Sequence, residues 1–263
     1  MILVVDIGNS TIAAGLVLDG SIRAQMRLMT EKLSVSAFKS IFHDFLQTSE
    51  IPFEDIETTV ISCVVPPILK PVSTSLNQLI GKTEFIVQPG IKVGMQIHYQ
   101  PPGSLGPDRV VNAFATKIFY GYPAICIDFG TATTFCVLDQ KGDFTGGAIL
   151  PGIKAFSTVL SKTTSLLPDV SFAKPPTVIA QSTIHNIQSG LFFGYISLLE
   201  GLIDKIQVEM RCKTIVVATG GQADLIKDET TAIDYYDNTL TLLGLAHLYR
   251  YNRKADSEFI WQS

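Results

Sequence analysis

Val4-Val5-Asp6-Ile7-Gly8-Asn9-Ser10-Thr11 decides the reading of this chain. Cys126-Ile127-Asp128-Phe129-Gly130-Thr131-Ala132-Thr133 repeats its pattern 122 residues later, close to half of the 263-residue length. In both stretches an apolar run ends in Asp-apolar-Gly, small hydroxyl or amide residues follow, and a second apolar run begins. Taken alone, each Asp-x-Gly is an ordinary hairpin turn. Two of them at related positions point to an internal duplication.

The flanking sequence repeats too. Thr11 to Leu18 reads as a strand, and Asp19-Gly20 is a hairpin signal leading to a third strand over Ser21 to Leu28. Val35, Phe38, Ile41, Phe42, Phe45 and Leu46 recur at helical spacing behind Ser34, a candidate cap. Thr59 to Val64 is a short β-branched strand. In the second half, Ala124 to Phe129, Thr133 to Leu138 and Phe144 to Leu150 repeat the three strands, with Lys141-Gly142 as the hairpin turn. Pro151-Gly152 opens a helix, and Ile184 to Ile206 reads as a longer one, apolar nearly all round. Ile215 to Ala218 is a late strand and Thr241 to Tyr249 a closing helix. This order predicts an α/β protein of two related domains, residues 1–117 and 118–263, joined within 113–123 around Gly121. The Pro- and Gly-rich stretch Gln88 to Pro107 reads as a long loop, and loops of that length are usually functional.

Composition narrows the function. Hydrophobic residues make up 46% and charged residues 17%, enough to bury a sizeable core. A net charge of −4 offers no basic face for a phosphate backbone, so nucleic acid is not an expected partner. No apolar run reaches the roughly 18 residues needed to cross a bilayer, and Asp6 interrupts the first apolar stretch, so neither a membrane span nor a signal peptide is expected. Cys63, Cys126, Cys136 and Cys212 lie far apart with no metal-ligand spacing, which suits reduced thiols in a cytoplasmic protein.

The candidate chemistry is acidic and glycine-rich. A strand followed by Asp-x-Gly turns backbone amides outward into a concavity that fits phosphate, while the acceptor-only Asp suits a cation beside it. One such turn from each half would grip a polyphosphate from two sides. Thr219-Gly220-Gly221 lets the backbone approach a flat ligand such as a nucleoside. No Walker loop is present, since Ile153 stands where its lysine belongs. In Gly106-Pro107-Asp108-Arg109-Val110-Val111-Asn112-Ala113, Pro107 fits the first helical position. Asp108 and Arg109 then lie in the first turn, where free amides and the helix dipole favour an anion. The bland alternative is that Asp108 only stabilises the helix start.

Asp6-Ile7-Gly8-Asn9, the 106–113 block and Asp128-x-Gly-Thr-Ala-x-Thr together resemble type III pantothenate kinase, as do Gly146 to Gly152, Gln188-Ser189-Gly190 and Thr219-Gly220-Gly221. The blocks stand in order over residues 1 to about 250. The resemblance implies ATP-dependent phosphorylation of pantothenate, the first step of coenzyme A synthesis. It also implies two ribonuclease-H-like domains of the actin-like ATPase superfamily facing a nucleotide cleft, and a homodimer. The cofactors implied are a divalent ion such as Mg2+ with ATP, and a monovalent cation, K+ or NH4+.

Position by position, Asp6, Ile7, Gly8, Asn9, Ser10, Thr11, Ile12 and Ala13 resemble the family's first phosphate loop, Thr131 its second phosphate contact, and Asp128 its monovalent-cation ligand. Asp108 matches the general base; Tyr99, Gly106, Pro107, Asp108, Arg109 and Thr183 match pantothenate contacts. Three positions depart from the family pattern: Pro107 for a small residue, Ser10 for threonine and Cys136 for an aspartate. Two other readings stand beside this one. One is another small-molecule kinase of the superfamily; the other is a nucleotide-binding regulator without turnover.

Overall fold

The computed structural model describes residues 1–253, 261 and 262. The chain divides into two compact units, neither continuous in sequence. The first comprises Met1–Phe119, Asp143–Thr145 and the described residues from Thr239 onward; the second comprises Tyr120–Gly142 and Gly146–Asn238. The expected halves, 1–117 and 118–263, differ from this division at residues 118–119 and 143–145 and at the closing helix.

In the first unit, β1 (Ile2–Ile7), β2 (Thr11–Leu18) and β3 (Ser21–Met29) form an antiparallel meander, and β4 (Thr58–Cys63) and β5 (Phe85–Ile86) add parallel strands on the β1 side. The order β3-β2-β1-β4-β5 makes a mixed sheet. Strand alternation sends Leu3, Val5, Ile7, Ile12, Leu16 and Ile61 to one face, where α1 (Val35–Thr48) and α2 (Pro66–Ile80) bury Phe38, Phe42, Ile68 and Val72 against them. Ser34 caps α1 as its sequence suggests, its hydroxyl accepting from the Ala37 amide. The other face is covered by α3 (Pro107–Phe119) and α6 (Leu240–Arg253). Gly244 lets these two helices meet closely, since a Cβ there would stand 2.8 Å from that of Ala115.

Helix α2 is absent from the sequence reading because Pro66, Pro67 and Pro71 signal a break. The first two occupy the opening helical positions, where a missing N–H costs nothing, and Gly81 ends the helix in left-handed backbone at φ 67°.

In the second unit, β6 (Ala124–Phe129) pairs antiparallel with β7 (Ala132–Leu138) and parallel with β10 (Ile215–Thr219), which carries β11 (Tyr235–Tyr236) at the edge. The expected strand over Phe144 to Leu150 is two short ones, β8 (Phe144–Gly146), whose first two residues belong to the first unit, and β9 (Ile149–Pro151). Gly146 and Gly147, at φ 124° and 155°, break the pleat between them. Strand β9 lies antiparallel along β7. Two helices follow, α4 (Ile153–Thr163) and α5 (Thr183–Met210). Phe192, Tyr195, Ile196, Leu199 and Ile203 of α5 pack on Ile125, Ile127, Phe129 and Val216 of the sheet. The apolar faces of α5 are therefore mostly consumed by the unit's own core. No helix among the described residues is long and apolar enough to cross a membrane.

Candidate active site

Each unit builds a strand-turn-strand device at its repeated motif. In the first, the Gly8 amide donates to the Thr11 carbonyl at 3.0 Å and closes the turn between β1 and β2. Thr30, just past β3, braces it from outside. Its hydroxyl donates to the Gly8 carbonyl at 2.6 Å and its amide to the Ser10 carbonyl at 3.0 Å. Asn9, Ser10 and Thr11 are left exposed, Asp6 is half-buried, and Ile7 and Ile12 anchor the turn in the core. Ala13, half-buried on β2, pairs with Asp6 in register.

Strand β4 runs parallel to β1, so Ser62 pairs with Asp6 and Cys63 with Ile7. Burial pushes the Cys63 thiol pKa up, and the Asp6 charge adds to that rise. The next residue, Val64, faces Gly106, which leads into α3. The strand ends carrying Asp6 thus adjoin the helix start carrying Asp108.

At that start, the Gly106 carbonyl accepts from the Arg109 and Val110 amides at 3.1 and 3.2 Å, and Pro107 occupies the first helical position. Asp108 folds back to accept from the Arg109 amide at 2.9 Å. A Cβ at Gly106 would stand 2.5 Å from Asp108 Oδ1, so glycine is what leaves room for the carboxylate. Desolvation by burial holds the Asp108 carboxyl above its ordinary pKa, against the opposing pull of the Arg109 amide and charge.

Arg109 is only 6% exposed. Its guanidinium lies 5.5 Å from the Tyr99 ring centroid and 5.6 Å from that of Phe144, and Nη1 reaches the Tyr99 hydroxyl at 3.4 Å. The two rings meet edge to face at 6.0 Å. Phe144 comes from a remote segment, pinned to the long loop by backbone bonds. Its amide donates to the Gln96 carbonyl and its carbonyl accepts from the His98 amide, while Asp143 accepts from the Gln96 amide. The sequence singles out Tyr99 and Arg109 but misses Phe144 and Thr30. Nothing local marks Phe144, which reads as one apolar residue of a strand.

In the second unit, the Gly130 amide donates to the Ala132 carbonyl at 3.1 Å and the Gly152 amide to the Thr131 carbonyl at 3.2 Å. A Cβ at Gly152 would come within 2.5 Å of that same oxygen, so the start of α4 is fitted against the turn. Thr219 pairs with Asp128 in register, and the chain then crosses over the Asp128 strand end. Gly220 lies at φ 96°, where a Cβ would sit 2.6 Å from the Phe129 amide nitrogen and press on Asp128 Oδ1. Gln222 completes the knot: its side chain donates to the Gly130 carbonyl at 2.7 Å and accepts from the Lys154 amide at 3.2 Å. Asp128, Thr131, Gly152, Gly220 and Gln222 therefore converge. Behind them, buried Thr133 shares a 2.5 Å hydrogen bond with the Tyr195 hydroxyl. Cys136 lies directly across from Cys126, both buried on the Asp128 side of β6 and β7. Thr183 is exposed at the first position of α5, behind its Ser182 cap.

The model of type III pantothenate kinases matches residues 2–205, which include Asp6, the 106–113 block, Asp128 and Thr183. The chain belongs to the type III pantothenate kinase family. A family member from Syntrophotalea carbinolica is 40% identical over 254 residues, 96% of this chain and all of its own. A type III pantothenate kinase from Halalkalibacterium halodurans is 38% identical over 253 residues, again covering 96% of this chain and all of the relative. Among solved structures, a conserved Baf family transcriptional activator from Campylobacter jejuni superposes with a TM-score of 0.59 at 19% identity, over 95% of this chain and 98% of its own. An activator of 2-hydroxyisocaproyl-CoA dehydratase from Clostridium difficile, solved with ADPNP, gives 0.53 at 14%, over 94% and 92%. At such identities these structures speak to the fold alone. They agree with the expected α/β class.

Proposed function

We propose that this chain phosphorylates pantothenate at the expense of ATP, the first step of coenzyme A synthesis, with Asp108 as general base. The observation that supports it most is the Asp108–Arg109 helix start, held beside the Asp6 strand end and roofed by Tyr99 and Phe144. Pantothenate offers a primary hydroxyl and a carboxylate. The hydroxyl oxygen forms a bond to the γ-phosphorus of ATP, the bond to the ADP oxygen breaks, and the hydroxyl proton passes to Asp108. Phosphoryl transfer is mostly positioning and charge neutralisation. Asp108 orients and deprotonates, and Arg109 presents a planar fork that matches the substrate carboxylate. The Gly8–Thr11 turn and Thr131 would bind phosphates. A coupled assay of ADP release with and without pantothenate tests the reading; turnover independent of pantothenate would refute it.

The oxygen-only donors at the two turns fit hard cations. A divalent ion with ATP would be held near Asp6 and would supply neutralisation of phosphate charge. A monovalent cation would be held at Asp128, where Gly220 is shaped to the carboxylate. Potassium or ammonium should stimulate turnover in a sodium background, and Asp128→Asn should abolish that stimulation. Indifference to potassium over the millimolar range would give Asp128 another role.

Arg109 and Phe144 supply a further check. Arg109→Ala should raise the pantothenate KM by ten- to a hundredfold, the range for losing a hydrogen-bonded charge, with little change for ATP. Phe144→Leu should raise the same KM less, because it frees the guanidinium without removing it. Equal effects on both substrates would place Arg109 outside the pantothenate pocket.

Assembly as a homodimer fits what α4 and α5 leave uncovered. Val159 and Ile184 are 48% and 53% exposed, Gly190 and Gly194 are open, and an apolar groove of about 460 Å³ runs between Phe156, Leu160, Ile187 and Leu191. Thr183 opens the same helix. Sedimentation at micromolar concentration reads the assembly, a monomer being the refuting result. Cys63, Cys126, Cys136 and Cys212 are free thiols, which suits a cytoplasmic enzyme.

A further inference from the structure

Two buried side-chain oxygens have no hydrogen-bond partner among the described residues, Ser62 Oγ and Tyr236 OH. Such groups are uncommon in folded proteins and each calls for a physical reason. Ser62 is wholly buried, on the interior strand β4. It pairs in parallel register with Asp6, so the two side chains leave neighbouring strands on the same side of the sheet. That side is the one α3 and α6 cover, since Ile61 and Cys63 point instead toward α1 and α2. Two residues on, Val64 meets Gly106 at the Asp108 turn. The unpartnered hydroxyl thus stands beside Asp6, on the strand that leads to the start of α3.

We infer that Ser62 is a positioning residue for the Asp6 carboxylate, donating its hydroxyl hydrogen bond when a hydrated divalent cation and a nucleoside triphosphate occupy the Asp6 turn. This rests on the kinase reading. A carboxylate that must face a hydrated cation needs one oxygen turned and held, and a neighbouring O–H does this without adding charge. Until then the hydroxyl is a cost, because a buried donor is desolvated for nothing.

That cost separates a positioning role from a structural one. Ser62→Ala removes the desolvated group, so the free protein should melt at the same temperature or higher. Its affinity for ATP with magnesium, measured by calorimetry without pantothenate, should fall about tenfold, as expected for one hydrogen bond to a charged group. The melting-temperature rise produced by magnesium and ATP should shrink accordingly, while the pantothenate KM stays unchanged. In an Asp6→Asn background, Ser62→Ala should add nothing. Unchanged magnesium-dependent ATP affinity in Ser62→Ala would overturn the inference, as would a lowered melting point or an undiminished effect in the Asp6→Asn background. Failure of the kinase reading would show separately, as wild-type protein that binds magnesium and ATP yet forms no phosphopantothenate.

Discussion

Asp108→Asn should fold, bind ATP and lose pantothenate phosphorylation by about 10²–10⁴-fold, the range for a general base. The pH profile tests the assignment. Burial raises the folded-state pKa of Asp108, so the carboxylate that accepts the proton is lost at a higher pH than for an exposed aspartate. The acid limb of kcat/KM should therefore fall above the ordinary aspartate range and vanish in the variant. Stability moves the other way. With the folded value above the unfolded one, the folded chain holds the proton more tightly, and stability drops as pH rises through the window between them. At neutral pH the ionised carboxylate is then a net cost that asparagine removes. Asp108→Asn should melt at or above wild type at pH 7, the difference closing in acid. A variant with full turnover, or one that melts well below wild type at pH 7, would show that Asp108 only holds its helix.

Gly220→Ala should damage both folding and nucleotide binding. Its φ of 96° disfavours any side chain, at roughly 1–3 kcal/mol. The added Cβ would also stand 2.6 and 2.7 Å from the backbone nitrogen and carbon of Phe129. A side chain could swing aside; a strand cannot, so the Gly220 turn and β6 must part at Asp128. A loss on the order of 3–5 kcal/mol follows, or a melting point about 10 °C lower. ATP binding should fall with it, because Asp128 and Gly130-Thr131 share that strand end. Gly201→Ala is the control: nothing lies within 4 Å of its Cβ position, mid-helix in α5, and alanine there should be neutral or stabilising. Equal melting points for the two variants would mean that the turn yields freely.

Local chemistry explains what could be read from the sequence. The Asp6 and Asp128 turns, the Ser34 cap and Pro107 at the start of α3 each depend on residues a few positions apart, so their signals are continuous in the chain. Helix α2 is hidden because Pro66 and Pro67 stand at its start, where proline breaks nothing, and Pro71 is accommodated inside it. Strands β8 and β9 were fused because apolar residues flank two glycines whose backbone angles leave no compositional mark. Phe144, Thr30 and Gln222 reach their turns from 35, 22 and 92 residues away, counted to Arg109, Gly8 and Gly130. Period and composition carry no information across such gaps.

The division of the chain has a consequence for its synthesis. A ribosome releases β1 before the rest of its unit, and α1 and α2 can cover one face of its sheet once residue 80 has emerged. The opposite face needs α6, whose Leu242 lies against Gly15 and which ends at Arg253. The unit that holds residue 1 is thus finished after the unit inserted into it. Throughout translation of residues 120–238, the nascent chain carries a half-clad sheet with Ile2 and Val4, buried in the finished fold, lacking α6 above them. The Asp6 turn, made before the rest of its unit, gains its full support last.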